Sequence, residues 1–248
     1  MTANHVTRRM RAYKDLDEAD FLRFLAIRII MGVDRKPSQK HYWTRNKILS
    51  STIVPKLLNS VRYFEILQNL HFCNQAEESE DRLFKLREIW KICTSQFYKI
   101  VVPGPNVSID ESLVLYKGRL VFKQFISSKR SRFGMKIFLI VDESTGFILN
   151  MIIYTGLGHP LKFNPKDLGY GGAVALELLT PYLQRHRTVY MDNYFTGPIS
   201  ARNLLTEKTY LGGTLQKKRK YIPKPERMAK GEIKTFPSQD ILIQHWKN

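Results

Sequence analysis

The spacing of apolar residues changes near Val101, and the change predicts two kinds of structure along the chain. Before Val101, apolar residues recur every three or four positions, which is the period of a helix buried on one face. Asp17 stands where a helix cap belongs, and Gly32 stands where that helix would stop. Further helices are expected to begin near Thr52, near Tyr63 and at Phe84. The first 100 residues are therefore predicted to be helical.

Beyond Val101 the chain contains short runs rich in Val, Ile, Phe and Tyr, which are typical of strands. Pro103, Gly104 and Pro105 interrupt the helical pattern and indicate a domain boundary. Residues 156–172, which are rich in glycine, are expected to form a loop. Strands are expected over residues 106–115, 135–141, 147–154, 188–191 and 210–215, and helices over residues 173–184 and from Pro198 to Lys208.

The predicted order is three strands, then helix, strand, helix and strand, and this order matches the ribonuclease-H-like fold. We therefore predict an α+β protein, in which a ribonuclease-H-like mixed sheet with flanking helices follows a helical N-terminal domain. The first and fourth strands of such a sheet are neighbours. Residues 216–248 are basic and contain proline, with candidate strand fragments at Ile233 and at residues 241–243.

Two aspartates end predicted strands: Asp110 follows Ile109, and Asp192 follows Met191. An unpaired carboxylate at the end of an apolar strand is costly to desolvate, so a cation or a metal ion is expected beside it. Because their strands are predicted neighbours, the two carboxylates would repel each other unless a divalent cation lay between them. Oxygen ligands suit Mg²⁺ or Mn²⁺, and a pair of such ions can activate a water or a 3′-hydroxyl against a phosphodiester.

Simpler roles are open for the same residues. Asp110 can be a turn residue at a strand end, or it can pair with Lys117. Asp192 and Asn193 can form an ordinary turn or a helix cap. Tyr194 and Phe195 are expected to pack in the core rather than to stack on a base.

The charge balance favours a polyanion as a partner. The chain has 40 Lys and Arg residues against 22 Asp and Glu residues, a net charge of +18. The segment from Ser112 to Val141 has no acidic residue, and aromatic residues are interleaved with its cations, as on nucleic-acid-binding surfaces. Its cations are Lys117, Arg119, Lys123, Lys129, Arg130, Arg132 and Lys136. A second run, Lys217, Lys218, Arg219 and Lys220, suits a nuclear-localisation signal, a DNA contact or a solvated loop.

The sequence predicts no disulfide scaffold, no zinc site and no membrane span. Cys73 and Cys93 are the only cysteines, and neither lies in a C-x-x-C pair or near a histidine at metal-binding spacing. No apolar run reaches the roughly 18 to 20 residues that a membrane span needs. The basic N-terminus lacks the apolar core of a signal peptide, so an intracellular protein is expected.

Several motifs, in order, resemble those of the piggyBac transposase family. Residues 108–113 (SIDESL) and 116–120 (YKGRL) resemble the first acidic motif of that family, and residues 190–196 (YMDNYFT) resemble its second. The resemblance covers roughly residues 20 to 220. Supporting positions are Met31-Gly32, Pro37, Tyr42-Trp43, residues 70–72 (LHF), Lys129, residues 134–136 (GMK), residues 154–156 (YTG) and residues 203–205 (NLL).

The resemblance implies that Asp110 and Asp192 are catalytic and bind Mg²⁺ or Mn²⁺ in a two-metal site. It implies a helical dimerisation and DNA-binding region over residues 1–100, a ribonuclease-H-like part of the catalytic core over 101–210, and a strand-rich insertion domain beginning at 211–248. The third aspartate of the family follows that insertion, and Asn248 falls inside it. The metal site is therefore expected to be incomplete in these residues, and we expect them not to carry out strand transfer.

Two functions are open at this point. The first is a metal-dependent transposase that cleaves double-stranded DNA and joins it at TTAA targets, as a homodimer in the nucleus; these properties are implied by the resemblance. The second is a domesticated, non-catalytic protein derived from a transposase that retains DNA binding. A basic nucleic-acid-binding protein without transposon ancestry would not show these motifs in this order.

Overall fold

The computed structural model describes residues 14–73, 80–127, 132–156, 159–224 and 227–247. The chain divides into two compact units, Met1–Ala76 and Glu77–Asn248. None of the described helices is both long enough and apolar enough to cross a membrane.

The first unit is helical, as the spacing of its apolar residues predicts. Helix α1 (Glu18–Val33) begins after Asp17, whose Oδ1 accepts a hydrogen bond from the backbone N–H of Asp20 at 2.7 Å. A 3₁₀ turn (Gln39–Trp43), α2 (Val54–Leu57) and α3 (Ser60–Asn69) follow. The core of this unit is formed by Phe24, Ile27, Tyr42, Val54, Leu58, Tyr63 and Ile66.

A buried guanidinium ties α3 to the start of the first unit. Arg62 donates through Nε to Oδ2 of Asp20 at 2.9 Å. Its Nη1 and Nη2 donate to the carbonyls of Lys14 and Asp15 at 2.7 and 2.9 Å. Because the charge is paired and hydrogen-bonded, its burial is tolerated.

The second unit begins with a helix, α4 (Phe84–Ile100), and continues as a sheet with two further helices. Its elements in chain order are β1 (Asn106–Leu115), β2 (Gln124–Phe125), β3 (Phe133–Asp142), β4 (Ile148–Ile153), α5 (Pro165–Leu179), a 3₁₀ turn (Thr180–Tyr182), β5 (Thr188–Met191), α6 (Pro198–Thr206), β6 (Tyr210–Gly213), β7 (Ile233–Ser238) and β8 (Ile241–Trp246).

The sheet has the mixed topology predicted for a ribonuclease-H-like fold. Strand β3 pairs antiparallel with both β1 and β4, and the short β2 pairs with the start of β3. On the other side of β1, strands β5 and β6 continue the sheet in parallel. The predicted neighbours, β1 and β5, are therefore paired.

Each face of the sheet is covered by a different set of side chains. One face packs with α5 and α6, and its core includes Ile109, Phe138, Val189 and Leu204. The other face carries Ile137 and Ile153, which pack with Leu83, the residue before α4, and with Trp90 inside α4. Helix α4, which the sequence grouped with the helical region 1–100, thus belongs with the sheet. Its helical period shows that one face is buried, but not which partner buries it.

Helix α5 begins where the sequence predicts a loop. Asn164 caps it by accepting from the backbone N–H of Lys166 at 3.0 Å, and Pro165 occupies the first turn. Gly169 has a φ of 71° inside the helix and bends it there. The expectation of a loop was therefore wrong for residues 165–172, where Gly171 and Gly172 serve close packing within a kinked helix; the described residues 156 and 159–164 are in neither a helix nor a strand.

The C-terminal strand fragments pair with each other. Strands β7 and β8 form an antiparallel two-stranded sheet, with Phe236 opposite Ile243. This sheet is separate from the larger one.

A buried polar corner joins the chain before β1 to the end of β3. Asp142, only 1% exposed, accepts hydrogen bonds from the backbone N–H groups of Gly104 and Thr145 and from the hydroxyls of Ser144 and Thr145. Arg187 donates to the carbonyls of Pro103, Gly104 and Tyr182. The hydroxyls of Ser144 and Thr145, followed by these backbone donors, lower the pKa of Asp142 to about 2.

We expect Asp142→Asn to destabilise the protein by about 2–3 kcal/mol at pH 7, because charged hydrogen-bond acceptors contribute most when buried. The pKa of Asp142 is lowered on folding, from 3.8 to about 2. The stability difference from wild type should therefore be complete above about pH 4 and shrink as the pH falls toward 2. Urea unfolding at several pH values measures it, with exposed Glu143→Gln as the control. An equal difference at pH 3 and pH 7 would contradict this account.

Candidate metal and DNA site

The two predicted aspartates lie where the pairing of β1 with β5 ends. Asp192 follows the last residue of β5, whereas Asp110 lies inside β1, opposite Leu139 of β3, so the expectation that Asp110 ends its strand was wrong. In the parallel register between β1 and β5, Ile109 is opposite Met191. Asp110 and Asp192 each come one residue later, and neighbouring strands are about 4.8 Å apart. Ile109 and Met191 are buried in the core against α5, whereas both aspartates are exposed. The fold thus places both aspartates next to each other at one end of β5.

The exposure of both carboxylates corrects one expectation. A carboxylate at the end of an apolar strand was expected to be desolvated, but Asp110 faces away from the buried Val107 and Ile109, because side chains alternate along β1, and Asp192 lies just beyond the end of β5. Their positions therefore need no compensating charge for burial. Asp110 also makes no ion pair with Lys117 in the described parts of the chain.

Local hydrogen bonds occupy one oxygen of each carboxylate. Oδ1 of Asp110 accepts from the backbone N–H of Glu111 at 2.8 Å. Oδ1 of Asp192 accepts from the backbone N–H of Tyr194 at 2.9 Å, so Asp192 does form a turn. The carbonyl of Asp192 also accepts from Phe195 and Thr196. In the described residues neither Oδ2 has a hydrogen-bond partner, so each carboxylate keeps an oxygen for a ligand.

An aromatic cluster lies beside the turn that carries Asp192. The rings of Phe138 and Tyr194 are stacked with centroids 6.3 Å apart, and Phe195 packs against both. Nζ of Lys136 lies 4.5 Å from the centroid of Tyr194 and 4.8 Å from that of Phe138. Burial, followed by the neighbouring Tyr154, raises the pKa of Tyr194. Tyr194 and Phe195 therefore belong to the core, as predicted.

Glycines in α5 let the helix approach this turn closely. A Cβ on Gly171 would lie 2.3 Å from the carbonyl oxygen of Tyr194, so only glycine fits there. Nη2 of Arg219 also donates to the carbonyls of Asn193 and Tyr194 at 3.1 and 2.6 Å. Nε2 of Gln216 lies 3.3 Å from Oδ1 of Asn193. The turn is thus in contact with a helix and with the segment that follows β6.

Comparison with known proteins assigns the chain to a family. A family model described as Transposase IS4 matches residues 1–248. The chain belongs to this transposase family. It is 27% identical over 206 residues to the human PiggyBac transposable element-derived protein 3, covering 82% of this chain and 34% of that protein. It is also 27% identical over 206 residues to the human Chimeric ERCC6-PGBD3 protein, covering 19% of that protein.

A solved structure confirms the fold of this transposase-family chain. A piggyBac transposase, determined by cryo-electron microscopy as a synaptic complex with hairpin DNA, superposes with a TM-score of 0.84 at 23% identity. The match covers 94% of this chain and 50% of that one. The ribonuclease-H-like fold and the piggyBac resemblance are thus confirmed. The chain spans about a third of the first human relative and half of the piggyBac chain.

The predicted DNA-binding cations of this transposase-family chain fall into three groups. Seven are exposed: Lys117, Arg119, Lys123, Arg132, Lys217, Lys218 and Lys220. Of these, Lys123 also donates to the carbonyl of Gly118 at 3.2 Å. Lys136 and Arg219 differ from the expected solvent-facing cations, because Lys136 covers aromatic rings and Arg219 is bound to backbone carbonyls. Lys129 and Arg130 lie outside the described residues.

The sequence missed the groups that shape the turn around Asp192. Gly171 was assigned to a loop and Arg219 to a basic surface run, because their contacts are with residues at least 23 positions away, such as Tyr194. A dense group of glycines immediately before an apolar helix was the available signal for close packing. In the described residues, no three His, Cys, Asp or Glu side chains converge to hold a metal ion.

We expect Gly171→Ala to displace the turn that carries Asp192 and to destabilise the protein by about 2–3 kcal/mol, because the added methyl group would overlap a backbone carbonyl. Thermal unfolding measures the effect. Gly32→Ala is the matched control, since a Cβ there meets nothing within 4 Å. It should be neutral or slightly stabilising in helix α1. Equal behaviour of the two variants would refute the close approach.

Proposed function

We propose that this chain is the DNA-binding part, and most of the catalytic core, of a piggyBac-type DNA transposase. The observation that supports it most directly is the register of two adjacent parallel strands, which sets Asp110 of β1 beside Asp192 after β5 in a chain of this family. In this proposal the two carboxylates are the catalytic, metal-binding residues. The substrate class is double-stranded DNA.

The two aspartates suit a divalent cation by their chemistry. Both are exposed carboxylates with an oxygen not committed to the described protein groups, and neither forms an ion pair with a cation in the described parts of the chain. Mg²⁺ retains several waters and is commonly held by one or two carboxylates together with phosphate oxygens of the substrate. Asp110 and Asp192 would therefore hold Mg²⁺ or Mn²⁺ jointly with the DNA backbone.

When bound, such ions would activate a water or a 3′-hydroxyl and would stabilise the leaving oxygen. The residues of the chain contribute position and charge. Asp192 is oriented by the N–H of Tyr194, and Asp110 by the N–H of Glu111. The exposed cations Lys117, Arg119, Lys123 and Arg132 would hold the phosphates of DNA near these carboxylates.

The family resemblance implies a third aspartate in the complete site. The described residues bring no third acidic or histidine side chain to Asp110 and Asp192. We expect the 248 residues alone to bind DNA without joining strands, since loss of a ligand weakens both metal affinity and geometry. The resemblance also suggests TTAA targets, a homodimer on DNA and a nuclear location. The related piggyBac transposase is in a complex with hairpin DNA.

A second candidate is a domesticated, non-catalytic DNA-binding protein. The matched human relative named as derived from a transposable element favours it. Both candidates need the basic surface, and only the first needs the carboxylates. Metal binding therefore separates the two candidates, whereas DNA binding tests the basic surface that both require.

The metal site makes the first of two predictions. We expect Mn²⁺ to bind the chain, and Asp110→Asn or Asp192→Asn to weaken that affinity about tenfold or more, because each removes one of two anionic ligands. Isothermal titration calorimetry or electron paramagnetic resonance of free Mn²⁺ measures it. Glu143→Gln, an exposed carboxyl in the β3–β4 turn, is the control. Equal Mn²⁺ affinity in all four proteins would leave only the DNA-binding candidate.

The second prediction concerns the DNA interface. Binding to duplex DNA should weaken steeply with salt. The triple variant Lys117→Gln, Arg119→Gln and Arg132→Gln should reduce the slope of log K against log salt by about 2–3, because each lost phosphate contact removes about 0.9. Fluorescence anisotropy measures the slope. A matched variant neutralises Lys85, Lys99 and Lys208, which are exposed elsewhere in the same unit. If the two triple variants lose the same amount, the segment is not a defined interface.

A further inference from the structure

Arg219 differs from the three lysines beside it in the basic run 217–220. Lys217, Lys218 and Lys220 are exposed, whereas Arg219 is half-buried. Its Nε is buried without a hydrogen-bond partner among the described groups. A guanidinium that turns its nitrogens away from water gives up solvation that a phosphate-binding surface cation would keep. The run therefore contains one inward-facing cation among outward-facing ones.

The inward direction leads to the turn that carries Asp192. Nη2 of Arg219 lies 2.6 Å from the carbonyl oxygen of Tyr194 and 3.1 Å from that of Asn193. The same Tyr194 donates its backbone N–H to Oδ1 of Asp192 at 2.9 Å. Tyr194 thus accepts from the Arg219 guanidinium through its carbonyl and orients the Asp192 carboxylate through its amide N–H.

Helix α5 is shaped to admit the guanidinium. Gly169 has a φ of 71°, and a Cβ there would lie 3.2 Å from Nη1 of Arg219. Two residues along, Gly171 brings the helix against the carbonyl of Tyr194 itself. The carbonyl of Tyr194 is therefore in contact with both the backbone of the helix and the guanidinium that packs beside it.

We propose that Arg219 is a positioning residue, which fixes the Asp192–Tyr194 turn and thereby the orientation of the Asp192 carboxylate. Through it, the segment after β6 controls the geometry of the candidate metal site. The effect on metal affinity rests on the proposed function; the effect on the turn does not.

The first test is hydrogen exchange of the metal-free chain. The amides of Tyr194, Phe195 and Thr196 all donate to Asp192. In Arg219→Gln we expect them to exchange about tenfold faster or more, because a charged hydrogen-bond donor to the turn is lost. Arg219→Lys should be intermediate, since an ammonium can reach one carbonyl but not serve as a planar fork. Lys218→Gln, with the same loss of charge at an exposed neighbour, should leave the three amides unchanged.

The amides of β3 serve as an internal reference, because a general loss of stability would accelerate them as well. If the three turn amides of Arg219→Gln exchange at the wild-type rate, the proposal is wrong. If they accelerate only together with β3, the role of Arg219 is general stability and the proposal is also wrong. Should Arg219→Gln fail to fold, the comparison of Arg219→Lys with wild type decides by the same criterion.

The second test links the turn to the metal. Arg219→Gln should weaken Mn²⁺ binding about tenfold, as expected when a group that orients a ligand is removed. Unchanged Mn²⁺ affinity alongside accelerated exchange would overturn the link to the carboxylate. If wild type itself binds no Mn²⁺, the proposed function falls, and the exchange result alone decides the role of Arg219. A drop of about 0.9 in the DNA salt slope would instead make Arg219 a phosphate ligand.

Discussion

The parallel pairing of β1 with β5 is the contact on which the rest of the second unit depends. It buries Val107 and Ile109 beside Val189 and Met191 in one core and fixes the register between strands that are far apart in sequence. A slip of one residue would turn every one of these side chains to the opposite face. The same register decides that Asp110 and Asp192 emerge together, so packing energy in the core sets the geometry of the candidate site.

A second constraint acts on the turn after β5. A strand end alone does not hold a carboxylate in one orientation, because the chain is no longer in the ladder there. The turn is instead confined by Gly171 of α5, by the aromatic ring of Tyr194 over Phe138, and by the guanidinium of Arg219. Three separate segments of the chain thus confine one short turn.

The basic residues of this protein have more than one role. Some cations, such as Lys117 and Arg119, face solvent, where long-range attraction of DNA is available to them. Others are internal: Arg62 pairs with Asp20, and Arg187 binds the carbonyls before β1. The net charge of +18 therefore does not measure how many cations face a partner. Counting basic residues in the sequence does not separate the two groups, because burial depends on tertiary packing.

The sequence by itself determined the local elements and the family. Strands over 106–115 and 188–191 and the helix from Phe84 to Ile100 were predicted with the bounds that the structure has, since period and turn residues act locally. Only the tertiary structure decided which segments pack together and which side chains are exposed. It shows that α4 packs on the sheet and that the glycines near Gly171 lie within a helix. It also shows that both aspartates are exposed and that Arg219 points inward. Such contacts join residues distant along the chain, and neither the period nor the composition of a segment records them.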